Sequence, residues 1–182
     1  RKYIVGGVPE SIKDIYINAS KGADGIVLLT SKPEFCAGLS DVIEINPDIE
    51  IYATSAGLRN IKEIVNRDIN ECLIKDSMEL GGLKFFITPN VHWVDTVMVS
   101  FDKNLFTGEM FSQSESMEKY YRDNLQVNKG FVKSALERLK GVDFDTIYPA
   151  IGKDVDKATA FDIYGELTRE IEHIPTAVVL YS

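Results

Sequence analysis

The stretch from Leu80 to Phe111, LGGLKFFITPNVHWVDTVMVSFDKNLFTGEMF, constrains the fold more than any other part of the chain. Leu83 to Ile87 and Thr96 to Phe101 are short apolar runs that predict two strands, and a third short strand ends at Thr107, Gly108 and Glu109. No helical pattern separates them, so they belong side by side in a partly antiparallel sheet. Between the first two lies a polar corner holding Pro89, Asn90, His92, Trp93 and Asp95. A histidine after one strand and a carboxylate after another can converge at one end of a sheet, a common way to build a metal or acid/base site. The same residues also suit a structural corner, with a hydrogen-bonded histidine beside a buried Trp93.

The pattern before this stretch is different. Lys2 to Val5 reads as a strand reaching the Gly6-Gly7 turn, and Pro9 opens a helix in which Ile12, Ile15, Tyr16 and Ala19 recur at helical spacing until Gly22. Ile26 to Leu29 is an unbroken apolar run, as in a strand buried on both faces. A helix over Gly38 to Ile45, a strand over Ile49 to Tyr52, a helix carrying Leu58, Ile61, Ile64 and Val65, and a strand at Cys72 to Ile74 continue the alternation. Strand and helix in turn predict an α/β half. After Met110 come helices around Met117 to Asn124 and Lys129 to Lys140, the second with Phe131, Ala135, Leu136 and Leu139 as its apolar stripe. A short strand follows at Thr146 to Tyr148, then a helix over about Asp156 to Ile171 and a terminal apolar strand from Thr176. The expected architecture is therefore layered α/β/β/α, with helices covering the outer face of each sheet.

With 182 residues, 45% of them apolar, the chain can bury a sizeable core as one domain. A net charge of -8, without a dense cluster of Lys and Arg, argues against a nucleic-acid partner. No apolar run approaches the ~20 residues of a membrane helix, so no membrane partner is expected and the location expected is cytoplasmic. Cys36 and Cys72 have neither CxxC spacing nor the numbers of a disulfide framework, which makes ordinary reduced thiols the expectation.

The run LGG, KFFITPNVHWVDTVMVSF and LFTGEMF resembles the core of the flavodiiron proteins, whose metallo-β-lactamase-like domain carries TP, then HWPD, then an LFS-acid-Phe pattern. YYRDNL at Tyr120 to Leu125 and VDFDTIYP around Asp145 extend the likeness over most of the chain. The resemblance implies a metallo-β-lactamase-like four-layer αβ/βα sandwich, of α/β (α+β) class, over residues 1–175. It also implies strands before Arg1 that this sequence lacks. Residues 176–182 then read as the start of a flavodoxin-like domain, with a closing edge strand as the equal alternative; the FMN of the family would sit on that further domain, and no cofactor is expected in this stretch.

In that family the first ligand cluster is His-x-Glu-x-Asp-His after a strand, a spacing that lets alternate donors face one two-metal cavity. The positions that match are Thr30 for the first His, Lys32 for the Glu, Glu34 for the Asp and Phe35 for the second His. His92 matches the histidine of HWPD, with Val94 replacing its proline. Glu109 matches the bridging Asp, and Ile151, in Pro149-Ala150-Ile151-Gly152, stands at the last His. Phe35 and Ile151 put carbon where nitrogen ligands would be, so the diiron centre of the family is expected to be lost. Glu34, His92 and Glu109 remain as candidate ligands for a single metal.

The leading expectation is a metal-free scaffold or dimerisation module of a flavoprotein, forming a homodimer and serving a flavodoxin-like domain and its electron-transfer partner. An oxidoreductase reducing dioxygen or nitric oxide through a remodelled metal site is the alternative, so enzymatic activity stays open. A small-molecule module using the emptied pocket is a third. If Lys32 takes the place of the missing cation, its ammonium should reach Glu109 or Glu34 within ~4 Å.

Overall fold

A computed structural model describes residues 1–112 and 129–168. The first half builds a parallel sheet of four strands, β1 (Tyr3–Gly6), β2 (Gly25–Leu28), β3 (Glu50–Ala53) and β4 (Asn70–Leu73), hydrogen-bonded in that order. A short 3₁₀ turn, Glu10–Ile12, leads into helix α1 (Lys13–Ser20), which connects β1 to β2. Helices α2 (Pro33–Cys36) and α3 (Leu39–Ile45) connect β2 to β3, and α4 (Ser55–Val65) connects β3 to β4. Thr54 caps α4 by accepting the Gly57 N–H, and Asn66 in the left-handed region ends it.

The second sheet has six strands. In sequence they are β5 (Glu79–Leu80), β6 (Leu83–Ile87), β7 (Val97–Phe101), β8 (Asn104–Gly108), β9 (Thr146–Pro149) and β10 (Val155–Asp156), and their order in space is β10-β9-β8-β7-β6-β5. All neighbours are antiparallel except β8 and β9. Leu80 pairs with Leu83 across Gly81 and Gly82, which have φ of +57° and +88°. Two left-handed residues make the tight turn that suits the twist of a hairpin, and adjacent glycines supply it without steric cost. A helix over 129–140, α5, and α6 (Lys157–Thr168) cover this sheet.

Three apolar clusters mark the three interfaces of a four-layer sandwich, and strand alternation sorts residues among them. Ile26, Leu28, Ile51 and Ala53 pack under the first helices. Their neighbours Val27, Leu29 and Tyr52 face the other sheet, against Leu83, Phe85, Val97 and Val99. Met98, Leu105 and Ile147 point the opposite way, onto Val132, Ala135, Leu136 and Leu139 of α5 and Ala160 and Tyr164 of α6. This is the α/β/β/α order that the sequence pattern predicts, with a partly antiparallel second sheet.

Several local expectations need correction. Phe131 lies exposed, and Val132 takes its place in the stripe, because 132, 135, 136 and 139 fall on the face turned to the sheet. Ile12 and Ile15 are exposed, while Tyr16 and Ile17 pack inward. The last helix begins at Lys157 rather than Asp156, since Asp156 still pairs with Thr146 in β10 while its carboxylate accepts the Thr159 N–H at 2.9 Å as an N-cap. The predicted helix around Met117 to Asn124, the segment from Ile171 and the proposed flavodoxin start at 176–182 lie outside the described residues.

Candidate functional site

The site candidates sit where β2, β6, β8 and β9 end. After β2 the chain runs through Thr30, Ser31 and Lys32 into α2, with Pro33 at its first position, where a missing N–H costs nothing. This turn is pinned from several sides. The Ser31 N–H donates to both carboxylate oxygens of Asp95, at 3.1 and 2.9 Å, and the Thr30 hydroxyl donates to Asp95 Oδ1 at 3.5 Å. Asn60 of α4 donates to the Ser31 hydroxyl at 2.9 Å, and the Val97 N–H donates to the Leu29 carbonyl at 2.8 Å. Asp95 is only 3% exposed, and burial raises its pKa although the Ser31 and Thr30 donors work the other way.

The corner between β6 and β7 turns His92 inward and Trp93 outward. It is held by the Asn90 N–H on the Trp93 carbonyl at 2.9 Å and by the Thr96 hydroxyl on that same carbonyl at 2.9 Å. The expectation of a buried Trp93 therefore fails: the ring is exposed, while Val91 and Asp95 of the same corner are buried. Burial, then the nearby positive charge of Lys32, depress the His92 pKa to about 4, so the imidazole is neutral at pH 7.

Glu109 is presented by an irregular end to β8. The register with β9 slips between Phe106 and Gly108, and Gly108 takes φ +64°, a conformation that suits glycine. The Ala150 N–H closes the end by donating to the Gly108 carbonyl at 2.6 Å. The Glu109 carboxylate, buried by this geometry, meets the ammonium of Lys32: Nζ lies 2.9 Å from Glu109 Oε1 and 3.1 Å from Glu34 Oε1. The expected contact of Lys32 thus forms with both acids at once. Burial works to lower the Lys32 pKa, but the hydrogen bonds to Glu109 and then Glu34 outweigh it and the net shift is upward. Glu34 is shifted down by a backbone hydrogen bond and, less strongly, by Lys32.

The other matched positions spread apart. Phe35 packs against Gly7, and its carbonyl accepts the Val8 N–H. Ile151 lies exposed on the surface and fills no interior space, contrary to the expectation that it would intrude where a cation might sit. Among the described residues no three His, Cys, Asp or Glu side chains gather closely enough to hold a metal ion. His92, Glu34 and Glu109 surround the region, but the charge between the two acids is an ammonium. The residue that sequence reading undervalued is Asp95. Its signal was a carboxylate three residues after His92 in a corner otherwise rich in turn formers, which reads as a surface turn until burial is known.

No protein-family model matches the chain. It is 25% identical over 193 aligned positions to Flavo-diiron protein FprA2 of Clostridium acetobutylicum, an alignment covering 90% of this chain and 48% of that protein. It is 26% identical over 151 positions to the type A flavoprotein of Rhodobacter capsulatus, covering 70% of this chain and 35% of that one. The chain is a relative of the flavodiiron proteins. It spans about half the length, or less, of these curated relatives. Solved structures agree on the fold. A fragment of diflavin flavoprotein A 5 from Nostoc superposes with a TM-score of 0.78 at 18% identity, covering 91% of this chain and 77% of that one. The flavodiiron protein of Giardia intestinalis gives 0.77 at 16% identity, covering 91% and 49%. The two sheets and their helices are thus a flavodiiron-type metallo-β-lactamase-like core. No helix among the described residues of this flavodiiron relative is long and apolar enough to cross a membrane.

Proposed function

We propose that this flavodiiron relative is a metal-free core in which the Lys32 ammonium stands in for a metal cation, and that it serves as a scaffold and dimerisation module for a flavodoxin-like domain. The observation that carries the reading is the placement of Lys32 Nζ within 3.1 Å of both Glu34 and Glu109. Two carboxylates around a cavity repel unless a cation lies between them, and a lysine meets that requirement within the chain. The residues do not fit a two-iron group: Phe35 offers carbon, Ile151 lies out on the surface, the Thr30 hydroxyl is engaged with Asp95, and a fixed ammonium beside Glu109 opposes a second cation.

The rival reading is an oxidoreductase that reduces dioxygen or nitric oxide at a remodelled metal site, fed by FMN on an attached domain. Metal analysis of protein purified without chelators separates the two. Iron, manganese and zinc well below one equivalent, unchanged by His92→Ala, are expected. A stoichiometric metal lost in that variant would overturn the metal-free reading. Sedimentation should give a dimer, and a monomer at micromolar concentration would remove the dimerisation role.

A further inference from the structure

Beside the Lys32-Glu109 pair lies a cavity of about 240 Å³ between the start of the first sheet and the end of the second. Its walls are mostly carbon, from Val5, Leu29, Phe35, Phe106, Tyr148 and Pro149. Phe106 and Tyr148 stack with ring centroids 5.5 Å apart, which gives one wall an aromatic face. Three of the backbone carbonyls around it already have partners: that of Gly6 accepts from Leu29, that of Gly108 from Ala150 and that of Phe35 from Val8. Its polar side-chain groups come from Tyr16, Thr30, Tyr148 and Glu109, which supply three hydroxyls and one carboxylate. Among the described residues no Lys, Arg or His lines it.

Size and chemistry together restrict the guest. An apolar cavity of ~150 Å³ is enough for benzene, whereas drug-sized ligands occupy roughly 300 Å³ or more, so this space suits one ring with a small substituent. The aromatic wall favours a flat ring, through offset or edge contacts. A carboxylate, with its several lone-pair sites, favours a guest that donates a hydrogen bond and disfavours one carrying its own carboxylate. Lys32, paired to Glu109 from outside the lining, disfavours a cationic guest as well. We infer that the cavity is a binding site for a small neutral aromatic hydrogen-bond donor of the phenol type, its ring against Phe106, Tyr148 and Phe35 and its donor directed to Glu109. The inference rests on the metal-free reading above, since a metal held by Glu109 would compete for the carboxylate.

The test is titration of the ¹⁵N-labelled chain with phenol, anisole and benzoate, followed through its amide resonances. Phenol should shift Gly6, Thr30, Gly108 and Glu109 saturably. Anisole, with the same ring and no donor, should bind at least about fivefold more weakly, as the loss of a hydrogen bond to a charged acceptor requires. Benzoate should bind least. Ala150 is exposed at the rim, so Ala150→Trp can close the cavity without disturbing the core, and should weaken phenol at least about tenfold by taking the volume that buries its ring. Equal binding of anisole or benzoate, or phenol binding that survives Ala150→Trp, would overturn the inference. Metal analysis of the same sample keeps the two ideas apart: metal at one equivalent overturns the metal-free reading, whereas metal-free protein that ignores phenol overturns only this one.

Discussion

Replacing Lys32 by Met removes the ammonium while keeping most of the side-chain volume, and the structure sets the size of the effect. The Glu109 side chain is 8% exposed, that of Lys32 23% and that of Glu34 60%. Breaking a fully buried ion pair costs ~3–5 kcal/mol, largely because the surviving charge is stranded, whereas exposed pairs contribute ~0–1 kcal/mol. With one partner buried and the other partly wetted, Lys32→Met should cost about 2 kcal/mol, between those limits. In a domain of this size that lowers Tm by about 4–8 °C. Glu34→Gln removes only a solvated partner and should cost below about 0.5 kcal/mol. The double variant Lys32→Met/Glu109→Leu should recover most of the loss, because neither charge is then left alone. The sign with pH follows from the raised Lys32 pKa: its contribution is fully present below the ordinary lysine value of 10.5 and is lost as pH rises through the higher folded value. Urea unfolding at pH 7 measures all three variants. A Lys32→Met protein within about 0.5 kcal/mol of the parent, or a Glu34→Gln cost equal to it, would refute the assignment of Lys32 as a buried counter-charge.

His92 has a folded pKa near 4, below its ordinary value of 6.5, so the unfolded chain takes up a proton there that the folded one refuses. Its contribution is present above pH 6.5 and is lost as pH falls toward 4, by up to about 1.4 kcal/mol per pH unit for one proton; His92→Gln should flatten that part of the stability profile measured by urea unfolding. At Gly57 a methyl would stand 2.5 Å from Asp95 Oδ2 and 3.1 Å from Ala53 Cβ. Although Gly to Ala within a helix ordinarily stabilises by up to ~1 kcal/mol, Gly57→Ala should here destabilise by about 1–3 kcal/mol, and a rise in Tm would contradict the close packing of α4 on Asp95.

The layering was legible because period is a local property. Val27 and Leu29 against Ile26 and Leu28 declare a strand buried on both faces. Which face of a helix meets the sheet was less legible: Phe131 and Val132 are both apolar, and only packing decides that the valine goes in. The Lys32 pairing was readable from the charge of the substitutions, since a cation replaced an acid among acids. The place of Ile151 was not, because a lost ligand position can leave the site altogether and the sequence gives no distance.

Asp95 gives a physical reason why this frame can persist while its donor residues change. In a site whose loops are ordered by a bound metal, ligand loss and loop collapse go together, because binding energy and folding energy are the same quantity. Here the turn at Thr30 to Lys32 is tied to Asp95 by the Ser31 N–H, to α4 by Asn60 and to β7 by the Val97 N–H, while the end of β8 is tied to β9 through Ala150 and Gly108. None of these bonds involves Thr30, Lys32, Glu34, Phe35 or Ile151 through a side chain that a metal would need, apart from the long Thr30 contact to Asp95. The ends of four strands therefore hold their places by protein hydrogen bonds alone. What the substitutions leave to be balanced is charge, at Glu109 above all, and Lys32 lies where that balance is needed. The geometry of the pocket is thereby separable from the chemistry once expected in it, which is why the same scaffold can offer a cavity for a neutral guest.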